Sequence, residues 1–294
     1  MVISTEINSY SKYGDVKSVL KLLKDAGFTA YDFSMFAKKW LGVNEFLAAD
    51  DYLEKAKELR AYADSIGLPC NQAHAPFPTV ITDDISHEGI SCEEYNQRMH
   101  VYIERAIEVA GILGAKVVVV HPWNYYTADQ NAVLYKSFEK TARASGIKIG
   151  VENMWNWKSG ESTASPAACS HHDDFRKHLD LLPKDVFVAC LDIGHAEMAG
   201  LDTNAVKMIE TLSERLEAIH LHDNNLVRDN HAIPFTYNIN YAAIIEAMKK
   251  VNYQGDITLE ADTFALNAPV ELMPAVAKYA ASVAEYFKKQ IENQ

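Results

Sequence analysis

The stretch DYLEKAKELRAYADSIGLPCNQAH, residues 51–74, contains one complete unit of the pattern that predicts the fold. Its first half has apolar residues at helical spacing, with Glu and Lys at positions that are neighbours on one helix face. The helical pattern ends at Gly67, a residue that suits a left-handed C-terminal cap. The segment LPCNQAH then predicts a strand, and this strand ends in His74.

The same alternation of strand and helix continues along the whole chain. Gly27, Gly114 and Gly146 each stand just before a predicted strand, as Gly67 does. The eight candidate strands are VISTEI from Val2, FTAYDF from Phe28, LPCNQAH from Leu68, AKVVVVH from Ala115, IKIGVE from Ile147, VFVACLD from Val186, AIHLH from Ala218 and DITLE from Asp256. With a last helix around residues 269–289, these units predict an α/β fold, a (β/α)8 TIM barrel that forms a single domain over residues 1–294.

A doubly wound open sheet is the alternative architecture. Such a sheet needs only about six strand and helix units and does not close into a ring. It commonly carries a glycine-rich phosphate-binding turn after its first strand, and no such turn follows any predicted strand here. The sequence therefore favours the barrel.

The composition limits the classes of function. A chain of 294 residues with 48% hydrophobic content can bury one large core. No apolar run reaches the length of a membrane span, no signal-peptide pattern opens the sequence, and the four cysteines include no CxxC pair. We therefore expect a cytoplasmic protein with no membrane partner. The net charge of −12 disfavours nucleic acid as a partner, because DNA binding depends on Lys and Arg that neutralise phosphates.

The ends of the predicted strands carry the strongest functional signal. In a TIM barrel the active site gathers at the C-terminal ends of the strands. Six successive strands, the third to the eighth, end in residues that can bind a metal ion: His74, His121, Glu152, Asp192 with His195, His220 with His222, and Glu260. Ordinary usage of such residue types makes this series rare by chance. It predicts a functional cluster at the mouth of the barrel.

Each of these residues also has a purely structural interpretation. A single histidine at a strand end, such as His74 or His121, is often bonded to a nearby carbonyl group. Glu152 and Glu260 are harder to explain in this way, because a carboxylate in a barrel mouth is costly unless it is paired or coordinated. Asp192 could cap the next helix, although the segment LDIGHA, with a glycine suited to an unusual turn, favours a ligand.

The seventh strand and the loop after it contain a second cluster of candidates. Alternation places His220 and His222 on the same side of this strand, so we expect at most one of them to coordinate a metal while the other packs or forms hydrogen bonds. Asp223 could form a turn. Asp229 and His231 belong to the loop segment DNH, where exposure to solvent is the alternative to a role as ligands.

Five motifs together carry a family resemblance. They are VEN at residues 151–153, LDIGHA at 191–196, HLHD at 220–223, DNHAIP at 229–234 and TLEAD at 258–262. This set resembles the xylose isomerase-like TIM barrels, a superfamily that includes the sugar phosphate isomerases and epimerases and the endonuclease IV type of abasic-site nucleases. The resemblance extends from the third strand to the eighth, in the same order.

The resemblance implies a divalent metal ion, Mn²⁺, Zn²⁺, Co²⁺ or Mg²⁺, held by Glu152, Asp192, His220 and Glu260. Three carboxylates and one imidazole suit such an ion and leave positions for substrate oxygens. The implied enzyme is a sugar or sugar phosphate isomerase or epimerase. In it, Glu152 and Glu260 remove and return a proton next to a carbonyl group, through a metal-stabilised enediolate. His195 would position a substrate oxygen.

Other residues near the strand ends are candidates for contact with a small-molecule sugar or sugar phosphate. Trp123, Trp155 and Trp157 offer flat apolar faces of the kind that stack on a sugar ring, with packing as an equal alternative. Asn153 and His222 adjoin the implied ligands. The long loops at residues 75–92 and 153–170 are candidates for a lid over the substrate.

The nuclease branch of the superfamily provides the second candidate function. Endonuclease IV builds a trinuclear zinc site, and the additional ligand types that it uses occur here, in order, at His74, His121, His195, Asp229 and His231. The net charge of −12, and HLHD where those nucleases resemble HLND, argue against abasic DNA as the substrate. A metal-binding or sugar-binding barrel without turnover is the third candidate. In each case the chain could form a homo-oligomer.

Overall fold

Eight parallel strands form the centre of the protein. The computed structural model describes residues 1–36, 44–82, 90–157, 160 and 162–292. The strands are β1 Ile3–Thr5, β2 Tyr31–Ser34, β3 Cys70–His74, β4 Val117–Val120, β5 Lys148–Glu152, β6 Phe187–Asp192, β7 Leu216–His220 and β8 Ile257–Leu259. Each of them overlaps one of the predicted strands.

The strands close into a ring. Strands β2 to β7 pair in chain order as one parallel sheet of six strands, and β1 pairs with β8 in parallel. Two single bridges join these sheets, one between Glu6 and Asp32 and the other between Leu221 and Leu259. The predicted TIM barrel is confirmed, and the open doubly wound sheet is excluded because both edges are joined.

Helices surround the ring. They are α1 Val16–Ala26, α2 Glu45–Ala48, α3 Tyr52–Ser65, α4 Cys92–Leu113, α5 Ala128–Ser137, α6 Glu139–Ser145, α7 His172–Asp180, α8 Ile193–Ala196, α9 Ala205–Leu212, α10 Tyr241–Lys250, α11 Asp262–Leu266 and α12 Met273–Glu292. Helix α1 shows why they form where they do. Asp15 accepts a hydrogen bond from the Ser18 amide at its start, and Gly27 adopts the left-handed conformation at its end.

Two loops at the mouth were predicted as lids, and the structure describes each of them in part. Residues 83–89 of the loop after β3 lie outside the described residues, as do residues 158, 159 and 161 of the loop after β5. The second loop contains a short antiparallel hairpin, Asn156–Trp157 with Ala164–Ser165, that the sequence did not predict. Among the described helices, none is both long and apolar enough to cross a membrane.

Successive side chains of the strands belong to two different apolar clusters. Small apolar side chains form a separate cluster from β4, β6 and β7, consisting of Val117, Val119, Val188, Cys190 and Ala218. The side chains between them in sequence, such as Val118 and Ala189, belong to the larger core between strands and helices. Continued alternation beyond the small cluster therefore carries polar side chains into the mouth.

Candidate metal centre

Alternation along the strands explains why the predicted residues meet. In β6, Val188 and Cys190 face the interior, and Asp192 follows two residues later. In β7, Ala218 is followed in the same way by His220. Because parallel strands end at the same face of a barrel, the polar residues that terminate them come together.

Four of these side chains form a compact group at the ends of β5 to β8, which we call the strand-end group: Glu152, Asp192, His220 and Glu260. One candidate ligand atom from each lies within 4.8 Å of the other three. His220 Nδ1 is 2.8 Å from Glu260 Oε2, 3.3 Å from Glu152 Oε1 and 4.0 Å from Asp192 Oδ2. The group is therefore arranged around one imidazole, with three carboxylates facing it.

Two further histidines reach the same glutamate. Glu152 Oε2 is 3.0 Å from His121 Nε2 and 3.4 Å from His74 Nε2. The two Nε2 atoms are 3.1 Å apart. The Nδ1 of His74 lies 2.7 Å from the carbonyl oxygen of Ala75, so it donates its proton there and Nε2 is the nitrogen that faces Glu152. His74 thus makes the carbonyl contact expected of a structural histidine and also lies beside Glu152.

A second set of donors is built on the elements that follow β6 and β7. We call it the loop group: His195, His222, Asp229 and His231. Asp229 Oδ2 lies 3.0 Å from both His195 Nε2 and His231 Nε2. The Nδ1 of His195 is 2.9 Å from the Asn153 carbonyl, and the Nδ1 of His231 is 3.0 Å from the Glu260 carbonyl. These carbonyls accept the Nδ1 protons and turn both Nε2 atoms toward Asp229.

Asn153 and His222 lie inside the site, in contact with Asp192. Both side chains are fully buried. The Asn153 amide accepts a hydrogen bond from the Asp192 N–H at 2.8 Å and donates one to the Asp192 carbonyl at 3.0 Å. His222 Nε2 lies 3.0 Å from both carboxylate oxygens of Asp192. In the structure these side chains contact Asp192, and their contact with a substrate stays a prediction.

The segment after β6 also differs from its prediction. Asp192 caps helix α8 by accepting a hydrogen bond from the His195 N–H at 2.6 Å, so the capping alternative is correct while the residue also belongs to the strand-end group. Gly194 lies within α8 and not among the residues with positive φ, so the expected unusual turn is wrong. The glycine is needed for space, because a Cβ at Gly194 would lie 2.0 Å from Cε1 of His222.

The tryptophans occupy three different environments at the mouth. Trp155 Nε1 donates a hydrogen bond to Asp229 Oδ2 at 3.3 Å. Trp157 is 49% exposed and meets Trp155 edge to face. Trp123 is partly buried, and its backbone N–H donates to the buried Asn131 side chain. The exposed face of Trp157 is available to a ligand, whereas Trp155 helps to hold the loop group.

One carboxylate in the mouth was overlooked in the sequence. Glu6 follows β1 and is buried; its oxygens accept hydrogen bonds from the Asn8 and Ser9 amides and from the Ser34 hydroxyl. Burial, reinforced by Glu260, outweighs these bonds and raises the pKa of Glu6 to about 8. The segment VISTEI carries this carboxylate near its end, as the later strands do, so the same pattern in the sequence points to Glu6.

Charge in the two donor groups is balanced by protons on imidazoles. Burial alone would raise the pKa of Glu152, but His220 and His121 outweigh it and hold this pKa well below its ordinary value. Burial alone would lower the pKa of His195, but Asp192 and Asp229 raise it to about 10. At neutral pH Glu152 is thus ionised and His195 protonated. A divalent cation could replace the positive charge that such imidazoles carry.

The donor atoms also pass a test of fit for a cation. In the part of the chain that the structure describes, Glu152 Oε2 and Asp229 Oδ1 are buried and lack a hydrogen bond of normal geometry. Glu152 Oε2 has only the nearby nitrogens of His121 and His74, at 3.0 and 3.4 Å, and Asp229 Oδ1 has His222 Nε2 at 3.7 Å. A buried carboxylate oxygen with such incomplete contacts is costly, and coordination to a cation would satisfy it.

Comparison with known families agrees with this architecture. The profile of the xylose isomerase-like TIM barrel family matches residues 20–289. The chain belongs to this family. The matched segment includes seven of the eight barrel strands and all the members of both donor groups.

Individual relatives differ in how much is known of them. An uncharacterized protein of Methanocaldococcus jannaschii is 30% identical over 200 residues, which cover 64% of this chain and 62% of the relative's length. The putative L-ribulose-5-phosphate 3-epimerase SgbU of Escherichia coli is 23% identical, with 70% of each protein covered. A D-tagatose 3-epimerase-like protein of known crystal structure superimposes with a TM-score of 0.72 at 22% identity, over 99% of this chain and 98% of that one. The structural likeness establishes the fold.

Proposed function

We propose that this protein is a divalent-metal-dependent sugar or sugar phosphate epimerase or isomerase, which moves a proton at the carbon next to a carbonyl group. The observation that carries the proposal is the strand-end group, in which three carboxylates and one imidazole converge within 4.8 Å. Two of the similar proteins are named for 3-epimerisation of a ketose, one of them with a phosphorylated substrate. They support this reaction class, and they are compatible with a substrate with or without a phosphate group.

The strand-end group suits a divalent cation in its chemistry. Carboxylate and imidazole donors in this ratio accept Mn²⁺, Co²⁺, Zn²⁺ or Mg²⁺. Within the described residues, the ion pairs of Glu152, Asp192 and Glu260 are formed with histidines and not with Lys or Arg. A bound cation would supply Lewis-acid polarisation of the carbonyl group and stabilise the negative charge of an enediolate.

The two glutamates are suited to the proton transfers. Epimerisation removes a proton from one face of a carbon and delivers one to the other face, so it needs two groups. Glu152 and Glu260 both lie against His220. Burial alone would raise the pKa of each carboxyl group, but the charge of His220 outweighs burial and holds both pKa values below the ordinary value. Both are therefore ionised at neutral pH and able to accept a proton. Glu260 is the more accessible of the two, with 14% of its side chain exposed against 1% for Glu152.

Solvent deuterium exchange tests this proposal without knowledge of the natural substrate. The metal-loaded protein would be incubated in D₂O with a panel of ketoses and ketose phosphates, and deuterium at the carbon next to the carbonyl would be measured by NMR. We expect exchange with at least one sugar, and a loss of roughly 10²–10⁴-fold in Glu152→Gln and in Glu260→Gln. Glu217→Gln, at the opposite face of the barrel, is the matched control.

Two outcomes of this experiment would count against the proposal. Undiminished exchange in both glutamine variants would remove the assignment of the acid/base pair. Tight binding of a sugar to the metal-loaded protein, without exchange, would support the third candidate, a binding barrel without turnover.

The loop group specifically favours one other candidate, a multinuclear phosphodiesterase. His195, Asp229 and His231 converge as a set that could hold an additional ion, and His74 and His121 face Glu152 as a further set. The net charge of −12 argues against a DNA substrate, because proteins neutralise the phosphates of DNA mainly with Lys and Arg side chains. We therefore rank this candidate second.

Zinc content and DNA cleavage distinguish the two candidates. For the epimerase we expect about one divalent ion per chain, little changed by His231→Ala, and no incision of duplex DNA with an abasic site at physiological salt. Two or three zinc ions per chain that decrease in His231→Ala, together with robust incision, would reverse the ranking.

A further inference from the structure

We propose that His222 is a positioning residue that orients the Asp192 carboxylate for metal binding, and that Gly194 provides the space for its ring. This inference rests on the proposed function, since it assumes a cation at the strand-end group. It assigns roles to two residues outside that group.

The contact between His222 and Asp192 restrains the carboxylate directly. His222 Nε2 is 3.0 Å from Oδ1 and 3.0 Å from Oδ2, and both side chains are completely buried. A donor placed symmetrically between two oxygens opposes rotation of the carboxylate about its Cβ–Cγ bond. The remaining restraint on the side chain, from the His195 N–H, acts on Oδ1 alone. His222 is thus the one described partner that contacts both oxygens.

The surroundings of His222 leave one position for its ring. A Cβ added at Gly194 would lie 2.0 Å from Cε1 and 2.5 Å from Nδ1 of the imidazole, closer than atoms can approach. The Asn224 amide donates a hydrogen bond to the Gly194 carbonyl at 2.7 Å. The Tyr241 hydroxyl donates one to the His222 carbonyl at 3.1 Å. The first bond joins the two backbone segments and the second fixes the backbone of His222, so a side chain at Gly194 would have to displace the ring.

The chemistry of the contact suggests a pair of substitutions that separate orientation from packing. Gln extends an N–H donor about as far from the backbone as Nε2 of histidine, whereas Asn extends one only about as far as Nδ1. His222→Gln should therefore keep a donor near Asp192, and His222→Asn should remove it. Loss of an outer partner of a metal ligand typically weakens metal binding by about 10–100-fold.

The test measures metal binding and not activity. Dissociation constants for Mn²⁺ and Co²⁺, and the visible spectrum of bound Co²⁺, would be recorded for the full-length wild type, His222→Asn, His222→Gln, Gly194→Ala and the double variant His222→Asn/Gly194→Ala. His100→Asn, at a half-exposed position on α4, is the control. Thermal unfolding of each protein in chelator reports on folding separately.

The expected result has three parts. His222→Asn weakens binding by about 10–100-fold and changes the Co²⁺ spectrum, while His222→Gln recovers most of the affinity. Gly194→Ala resembles His222→Asn. The double variant binds no more weakly than the worse single variant, because both changes act through the same ring.

Three outcomes would overturn the inference. Wild-type affinity in a folded His222→Asn protein would show that the ring does not orient the ligand. A decrease in the number of bound ions, with the affinity of the remaining site unchanged, would make His222 a ligand of a separate ion. A wild type that binds neither metal would overturn the proposed function itself, and this result is distinct from the first two because it precedes any substitution.

Discussion

Strands β5 and β7 carry charged or titratable side chains at both of their ends, and the two ends behave differently. At the N-terminal ends, Lys148 Nζ lies 2.6 Å from Glu217 Oε1, with side chains 39% and 36% exposed. At the C-terminal ends, Glu152 Oε1 lies 3.3 Å from His220 Nδ1, and both side chains are 1% exposed. The first pair is a complete ion pair in contact with water, whereas the second lies in a buried cluster of carboxylates and imidazoles.

This difference in burial distinguishes the two ends of the same pair of strands in what they can do. An exposed ion pair contributes only about 0–1 kcal/mol and needs no further partner. A buried carboxylate must be balanced by something, and at the mouth the neighbours are imidazoles whose charge depends on bound protons. Under the proposed function a cation replaces those protons, so we expect binding and reaction at the mouth and only stabilisation at the opposite face.

The largest expected effect comes from removing the charge of one mouth carboxylate. Glu152→Gln should weaken Mn²⁺ and Co²⁺ binding by more than about 100-fold, beyond the effect of losing an outer partner, because Glu152 would be a direct ligand. Glu217→Gln should change the same affinities by less than about 2-fold, as expected of an exposed pair. Competition with a fluorescent chelator measures both. Equal effects of the two substitutions would abolish the distinction between the faces.

Metal removal should change stability through the mouth alone. At a free metal concentration of about 100 times Kd, binding to the native state should raise the free energy of unfolding by about 2.7 kcal/mol relative to protein in chelator. Glu152→Gln should lose this response, and Lys148→Met should retain it. Denaturant titration with and without metal measures the difference. A response of wild-type size in Glu152→Gln would place the stabilising ion elsewhere.

Asn131, a buried polar residue with hydrogen-bond partners, should have an effect between those of the buried mouth and the exposed ion pair. The Asn131 side chain is fully buried, accepts from the Trp123 N–H at 2.9 Å and donates to the Trp123 carbonyl at 3.2 Å. Asn131→Ala should cost about 1–3 kcal/mol of stability by leaving these backbone groups unsatisfied, with metal affinity unchanged. Urea unfolding and the chelator assay test the two statements separately. Weaker metal binding in the folded variant would show that this loop also supports the centre.

The smallest effect should come from the exposed pair. Lys148→Met should lower stability by no more than about 1 kcal/mol, and the loss should shrink as salt is added because the pair is screened. Urea titrations at low and high ionic strength measure it. A loss of several kcal/mol that salt does not affect would make this pair more than a surface contact.

The sequence predicted that the polar residues at the strand ends would lie together, and two rules account for this. Alternation selects the inward side of each strand, and the barrel topology brings all the strand ends to one face, where Glu152, Asp192, His220 and Glu260 are found together. The choice of these four as metal ligands came from the family resemblance, and it stays a prediction. Glu6, which follows the first strand and is buried, obeys the same rules.

Contacts between segments that are distant in sequence could not be predicted in this way. The position of the His222 ring depends on the close approach of Gly194, 28 residues earlier, and the substitution that this contact forbids is visible only in three dimensions. Asn153 likewise appears in the sequence as a neighbour of Glu152, while its amide holds the backbone of Asp192. Periodicity predicts which side a residue faces, and it does not predict the partner.

The most direct test of the central claim, that the mouth of the barrel is a divalent-metal centre, is elemental analysis of gently purified wild type beside Glu152→Gln and Glu217→Gln. We expect about one divalent ion per chain in the wild type and in Glu217→Gln, and almost none in Glu152→Gln. A wild type without bound metal after incubation with Mn²⁺, Co²⁺ and Zn²⁺, or a full complement in Glu152→Gln, would contradict it.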